Sequence, residues 1–454
     1  MTTLQPTPDL LAGLPDGIAV TDPDILRSYR RDHSRFTDSG SPLAVLAPRG
    51  TAEVAQCLRA CHAARIPVVT RGAGSGLSGG ANAVDGAVVL STHRMNAVLH
   101  IDPAERLAVV QPGVLTGDLR AAVAEHGLFY PPDPGSVDFC SIGGNVATNA
   151  GGMCCVKYGV TGDFVAALEV VLADGRVLRT GTRTVKGVAG YDLTRLLVGS
   201  EGTLGVITEV TVRLRPAPRP PQTLVATFGT PAAASAAVTG IDAAAPGCSA
   251  VEILDRTTLR AVDALTHMGL ADDAAMLLVQ ADSADADAVL GAVAEICAAA
   301  GGEVARSADA AESALLMAAR RMALPALERL GDHLLDDVCV PRGRIVDLVL
   351  AVERIAADSG LTIGVFGHAG DGNLHPTIVF DGADPASAAA ARRAFDAITA
   401  AALELGGTIT GEHGVGRLKA GWLTRELDPV NLAVQRALRG VFDPDGILNP
   451  GVVL

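Results

Sequence analysis

The sequence predicts an α+β protein in two main parts with a tail that returns to the first, and three observations carry this. At 454 residues the chain is too long for one ordinary core. Residues 66–214 space four glycine-dense segments between strand-like runs. After Arg215 the run PAPRPPQ breaks both periodicities, and residues 222–350 then alternate strand-like runs with Ala-rich helical ones. The divisions read as 1–216, 222–405 and 406–454.

Composition narrows the class. Hydrophobic residues make up 49% and charged residues 19%, as in a folded protein with buried cores. A net charge of −14 with no Lys/Arg cluster excludes a nucleic-acid footprint. No apolar run reaches the roughly 20 residues of a membrane span. The start, MTTLQPTPDLLAGLPDG, lacks the basic and apolar parts of a signal peptide. The eight cysteines (57, 61, 140, 154, 155, 248, 297 and 339) contain no Cys-x-x-Cys pair and suit neither a disulfide framework nor an iron–sulfur ligand set. The expectation is a cytoplasmic protein, or one peripheral at the inner face of the membrane.

The first glycine segment, IPVVTRGAGSGLSGGA (66–81), is a strand running into a loop with Gly74-x-Gly76-x-x-Gly79, and Asp102 lies downstream where a ribose ligand would stand. A Rossmann loop must open a helix, because the helix N-terminus holds the pyrophosphate. Here NAVDGAVVLST follows, a turn and then another strand, so the loop reads instead as a nest of backbone N–H groups with Arg71 supplying charge. YPPDPGS (130–136), SIGGNVATNAGGMCCVKYG (141–159) and GYDLTRLLVGSEGTLGVITEVTVRL (190–214) complete the set, the last ending in a strand that reads as buried and alternating. Four such segments suit one extended ligand lying along backbone. FAD is long enough, whereas NAD needs one loop.

In this order the segments resemble the flavin domain of the vanillyl-alcohol-oxidase (p-cresol methylhydroxylase) superfamily. The chain is most similar there to the FAD-linked D-2-hydroxyacid dehydrogenases: flavin D-lactate dehydrogenase, the catalytic glycolate oxidase subunit and D-2-hydroxyglutarate dehydrogenase. The resemblance runs from residue 40 or so to 454. It implies a two-part FAD-binding domain of the p-cresol methylhydroxylase type with an α+β cap. It also implies that Arg71, Gly72, Ala73, Gly74 and Ser75, with Gly76 and Ser78, wrap the FAD pyrophosphate. Pro134, Gly135 and Ser136 would run beside the isoalloxazine and ribityl chain. So would the stretch carrying Gly143, Gly144, Asn145, Thr148, Ala150 and Gly151. Gly205 and Ile207 would meet the adenosine half, and Asn449 in the LNPG turn would return to the flavin. Cys154 and Cys155 fall in a flavin-lining segment, but the resembled branch binds FAD noncovalently. Arg320, on an Ala/Leu/Met-rich helix with Arg321, matches the arginine that grips the substrate carboxylate, which a planar guanidinium can do bidentately.

Two histidine motifs point to a metal. FGHAGDGNLHP (366–376) places His368 and His375 seven apart around Gly370 and Gly372, and a glycine-bent loop would aim both imidazoles at one point. GEHGVGRLK (411–419) adds Glu412 as a third ligand and leaves His413 beside it as a base. Two His and one carboxylate suit Zn²⁺ first, with Mn²⁺ or Fe²⁺ also accommodated. Lys419 and Arg417 read either as offsets for charge near the flavin or as solvated.

The chemistry expected is FAD-dependent oxidation of a D-2-hydroxy acid to the 2-oxo acid, with a divalent metal polarising the hydroxyl. D-lactate or a similar short monocarboxylate is favoured. The 2-hydroxyglutarate enzymes carry Lys-Tyr-Asp before a strand where this chain has LLDDVCVP (334–341), and Asp336 and Asp337 would repel a second carboxylate unless Arg342 compensated. The alternatives are a D-2-hydroxyglutarate or glycolate dehydrogenase, and a non-redox FAD transferase of the alkylglycerone-phosphate synthase type. The electron acceptor is left open among quinone, cytochrome, electron-transfer flavoprotein and an iron–sulfur partner subunit, and a homodimer is admitted.

Overall fold

A computed structural model of the chain describes residues 14–34, 36–244, 247–270 and 273–454, and its strands form where β-branched residues concentrate. Two units result. The first holds the described residues up to Ala150, then Val160–Ala217 and Glu412–Leu454; the second holds Gly151–Gly159 and Pro218–Gly411. The segment 151–159 therefore groups with the second unit rather than with the glycine-rich stretch that precedes it.

In the first unit β1 (Ala19–Val20), β2 (Ala44–Leu46), β3 (Val68–Arg71) and β4 (Val88–Ser91) form a sheet in the order β1-β2-β4-β3. Strands β2 and β3 both run parallel to β4. Between β2 and β3 the helix Thr51–Ala64 buries Val54, Cys57, Leu58 and Cys61, one face at helical spacing, in the same core as Leu46, Val68 and Leu90. Ile447 and Leu448 join that core from the far end of the sequence, and Leu448 bridges Val68 in parallel.

A second sheet takes the order β5-β6-β10-β8-β9, every neighbour antiparallel. Its strands are β5 (Val98–Asp102), β6 (Leu107–Val110), β8 (Val165–Val171), β9 (Val177–Gly181) and β10 (Val206–Arg213), while β7 (Leu128–Phe129) pairs with β11 (Arg215–Pro216). Strand β10 departs from the expected alternation: Val206, Ile207, Thr208, Val210, Thr211 and Val212 are all buried. It is the central strand, so both of its faces lie inside.

The second unit is one sheet of eight strands: β12 (Gln222–Phe228), β13 (Ala250–Asp255), β14 (Ala275–Ala281), β15 (Glu303–Arg306), β16 (Asp332–Leu335), β17 (Val338–Cys339), β18 (Thr362–His368) and β19 (Asn373–Phe380). The order is β15-β12-β14-β13-β18-β19-β16, with β17 also on β19. The Ala-rich runs form helices such as Ala286–Ala299. The Ala/Leu/Met-rich stretch around Arg320 forms two helices, Ala310–Arg321 and Ala323–Glu328. Pro325 explains the break, since it has no N–H for the carbonyl of Arg321 and its ring crowds that turn.

No described helix is long and apolar enough to cross a membrane. None of the eight cysteines forms a disulfide.

Candidate active site

The first unit builds a cradle from glycine loops. After β3 the chain bends from Gly72 to Gly86 with no helix, and β4 follows directly, so the Rossmann reading is excluded structurally. Ser141 ties two of the loops together: its Oγ accepts from Ala73 N–H at 3.2 Å and caps the helix Ile142–Thr148 through Gly144 N–H. A Cβ on Gly72 would collide with that hydroxyl, which is why the approach needs glycine. Within the short helix, Asn145 donates to Thr116 Oγ1 at 2.7 Å and Thr148 to the Gly144 carbonyl at 3.2 Å. The Ala150 carbonyl accepts from Thr161 N–H and from its hydroxyl.

Arg71 folds back over its own loop, donating to the Arg31 carbonyl at 2.8 Å, and its guanidinium fills the space a side chain at Gly74 would need. Pro134 and Ser136 accept turn hydrogen bonds from Val137 and Phe139, fixing Gly135 between them. Gly205 passes β8 so closely that a Cβ would strike Val170, and Ile207 pairs with Val170 in β10. Gly151, Cys154 and Cys155 lie in the segment of the second unit, where Lys157 and Tyr158 both reach Asp282.

The stretch from Glu412 onward docks into this first unit. Ser78 Oγ donates to the His413 carbonyl at 3.0 Å, and the Ser78 carbonyl accepts from Arg417 N–H at 2.9 Å. Glu201 receives Val415 N–H and Gly416 N–H, both at 2.8 Å. Burial nevertheless pushes its carboxyl up to about 7. Asn449 donates from Nδ2 to the carbonyls of Gly80 and Glu201 at 2.9 and 2.7 Å. Lys419 is buried and Arg417 half-buried, so neither is solvated. Glu412 and His413 are partly accessible, with Oε1 and Nε2 3.8 Å apart.

Whether this cradle fits an extended polar ligand can be asked of its unsatisfied atoms. Thr70 Oγ1 and Asn449 Oδ1 are buried without a hydrogen-bond partner, and both residues pack on Gly202. Buried polar atoms are nearly always paired, so two orphans beside glycine backbone mark a place where a ligand supplies the partner. The cradle fits FAD.

In the second unit His368 and His375 come together by a route other than the expected loop. They sit on the paired strands β18 and β19, joined by the turn 369–372. His375 lies directly opposite Phe366, two residues from His368, so both rings project from one face. Their ring centres are 5.1 Å apart. Two imidazoles sharing one ion at about 2.1 Å per nitrogen, with a near-tetrahedral angle, would have centres about 5 Å apart, so the pair fits a metal. Gly372, at φ +79°, makes the turn, and a Cβ there would strike the Val340 carbonyl.

Around the pair stand two acids: Glu252, which the sequence reading missed, and Asp337, which it placed opposite a second substrate carboxylate. Glu252 of β13 is fully buried and accepts from His368 Nδ1 at 2.8 Å and from Arg320 Nη2 at 2.7 Å. Burial opposes its charge, but His368 and Arg320 outweigh this and hold its carboxyl below the usual range. The signal was there: AVEILD puts one acid inside an apolar strand. Asp337 accepts from Asn373 Nδ2, Thr410 Oγ1 and Gly411 N–H at 2.7, 2.7 and 2.9 Å, and stands 3.7 Å from His375 Nδ1. It thus holds the chain at the residue immediately before Glu412.

Arg320 is 5% exposed, unlike its exposed neighbour Arg321. Its guanidinium lies over the Phe366 ring, and its Nε is buried with no partner. Asp336 and Asp337 are buried too, Asp336 holding Thr399 Oγ1 at 3.0 Å.

Comparison with known proteins identifies the family. The FAD-binding domain family matches residues 42–181, and the C-terminal domain family of FAD-linked oxidases matches 217–453. The glycolate oxidase subunit GlcD of Bacillus subtilis (strain 168) is 45% identical over 415 residues, covering 90% of this chain and 88% of that protein. The D-lactate dehydrogenase of Anaerostipes hadrus is 34% identical over 446 residues, covering 95% and 93%. Among solved structures, p-cresol methylhydroxylase with substrate bound superposes with a TM-score of 0.81 at 18% identity, covering 98% of this chain and 95% of that one. Alkyldihydroxyacetonephosphate synthase gives 0.77 at 19% identity, covering 99% and 87%. These two likenesses speak for the fold alone. From the glycine cradle and the matched families together, the chain belongs to the FAD-linked oxidases and is an FAD-dependent oxidoreductase, with the fold seen in p-cresol methylhydroxylase.

Proposed function

We propose that the protein oxidises a short 2-hydroxy monocarboxylate, glycolate or D-lactate, to the 2-oxo acid. The observation that carries this reading is the face shared by His368 and His375, with ring centres 5.1 Å apart and Arg320 joined to it through Glu252. His368, His375 and Glu412 would hold a divalent metal, Zn²⁺ first among Zn²⁺, Mn²⁺ and Fe²⁺. When bound, that ion acidifies the substrate hydroxyl, as FAD when bound takes up the Cα hydride.

The chain's own residues supply the rest. Arg320 offers its partnerless Nε and the adjoining edge of the guanidinium to the substrate carboxylate, which would satisfy a buried donor that has nothing else to bond. Holding the acid by its carboxylate fixes the orientation of the hydroxyl-bearing carbon, and orientation alone can lower such a barrier by several kcal/mol. His413 takes the hydroxyl proton. Arg71, Gly72, Ala73, Gly74, Ser75, Gly76 and Ser78 hold the flavin pyrophosphate, with the 134–136, 143–151 and 205–207 stretches along the rest of the cofactor. The short monocarboxylate is supported by the names of the relatives, glycolate oxidase subunit and D-lactate dehydrogenase. The electrons leave to an acceptor outside the chain, and the description of the GlcD relatives as subunits supports a partner subunit.

Anaerobic mixing with a panel of hydroxy acids tests this. Glycolate or D-lactate should bleach the flavin absorbance within the turnover time, and L-lactate and D-2-hydroxyglutarate should do so far more slowly. Bleaching by D-2-hydroxyglutarate alone would move the substrate to the dicarboxylate class, and bleaching by none would leave a non-redox transferase.

A further inference from the structure

We propose that Glu252 is a positioning residue that sets both arms of the candidate site, the metal-ligating imidazole of His368 and the carboxylate-gripping Arg320; this rests on the reading just given. Glu252 stands directly opposite His368 in the β13/β18 register, is fully buried, and has both carboxylate oxygens within 3.0 Å of His368 Nδ1. An ionised carboxylate can only accept, so His368 Nδ1 must carry the proton. In the neutral ring the lone pair is then on Nε2, the nitrogen that would ligate a metal. The same carboxylate takes Arg320 Nη2 at 2.7 Å, which anchors the guanidinium on one side while its Nε stays buried without a partner.

A purely structural role is the weaker account. Glu252 and Arg320 are a buried ion pair, and burying two charges costs several kcal/mol each before their attraction offsets it. The adjoining residues Val251, Ile253 and Leu254 are apolar and buried, so stability alone would be served by a hydrophobic residue at 252. What an apolar side chain there could not do is fix the tautomer of one neighbour and anchor the guanidinium of the other.

The test uses FAD-loaded protein and reads metal affinity by competition with a chelator, for Zn²⁺ and Mn²⁺, with flavin absorbance and melting as checks on the fold. Glu252→Gln should weaken the metal about 10–100-fold. Glu252→Gln with Arg320→Met, which removes the unbalanced cation, should stay as weak. Metal affinity within twofold of wild type in Glu252→Gln would overturn the proposal, and so would recovery in the double variant, since Glu252 would then only neutralise Arg320. Should Glu252→Gln not fold, ¹⁵N-histidine spectra of the metal-free wild type decide instead: an Nδ1–H tautomer for His368 supports the proposal and an Nε2–H tautomer overturns it. His368→Ala separates this from the parent reading. If wild type binds no metal, or His368→Ala keeps it, the metal site itself is wrong and the role of Glu252 falls with it. If His368→Ala loses the metal and Glu252→Gln does not, only the role of Glu252 is wrong.

Discussion

His413 and Glu412 are neighbours with different assignments, and the 3.8 Å between Nε2 and Oε1 exceeds hydrogen-bond reach, so neither side chain consumes the other. His413→Ala should therefore keep FAD and metal yet slow flavin reduction by about 10²–10⁴-fold, in stopped-flow mixing with substrate. Glu412→Ala should lose metal as well, and the opposite pattern would exchange the two roles. A second residue gives a pH test. Burial raises the Asp255 carboxyl from 3.8 to about 6, although it caps the helix Arg256–Thr266 through Thr258 N–H at 2.8 Å. The folded protein thus binds a proton that the unfolded chain has released, so stability falls as pH rises from 3.8 through 6. Asn caps as well and cannot ionise. Asp255→Asn should gain on wild type by on the order of 1–3 kcal/mol between pH 4 and 7 in urea unfolding. At this scale the sequence offered the residues that chemistry makes conspicuous, the histidines and Glu412, as candidates. It did not disclose Glu252, nor that Asp337 would hold Gly411, because the partners lie 116 and 74 positions away.

The histidine hairpin shows how an element can be found and still be misread. Residues 362–368 and 373–380 are nearly all buried, with no alternation to announce strands, and Pro376 argues against one. Pro376 is tolerated because it lies where the neighbouring strand breaks, between the partners of β17 and those of β16. The glycines were legible as a bend; the register that puts His375 diagonal to His368 was not, because it depends on which strand pairs with which. Gly372→Ala would force a side chain at φ +79° into the Val340 carbonyl. We expect it to cost metal affinity and about 1–3 kcal/mol of stability while the flavin spectrum stays unchanged, measured by chelator competition and thermal melting.

Each unit of the molecule is assembled from separated stretches of chain, and the first is finished by residues far from its start. Ile447 and Leu448 pack in the core of the first sheet, Asn449 N–H donates to the Val68 carbonyl at 2.8 Å, and Arg439 reaches the Leu448 carbonyl at 3.0 Å. A chain ending at Phe442 should therefore retain little FAD and melt earlier, as gel filtration with absorbance at the flavin band would show. The sequence reading drew its divisions at the linker after Arg215 and before residue 406, and nothing in SIGGNVATNAGGMCCVKYG marks where 151–159 leave for the other unit. There is a consequence for a ribosome making this protein. Strand β3 emerges early, but its partner Leu448 is added only after all of Pro218–Gly411. At about 5–20 residues per second, the apolar face of β3 waits roughly 20–75 seconds without its last neighbour. Through that interval the second unit can fold from nearly contiguous chain while the first cannot close, so a nascent chain stalled before residue 447 would be the form most in need of a chaperone.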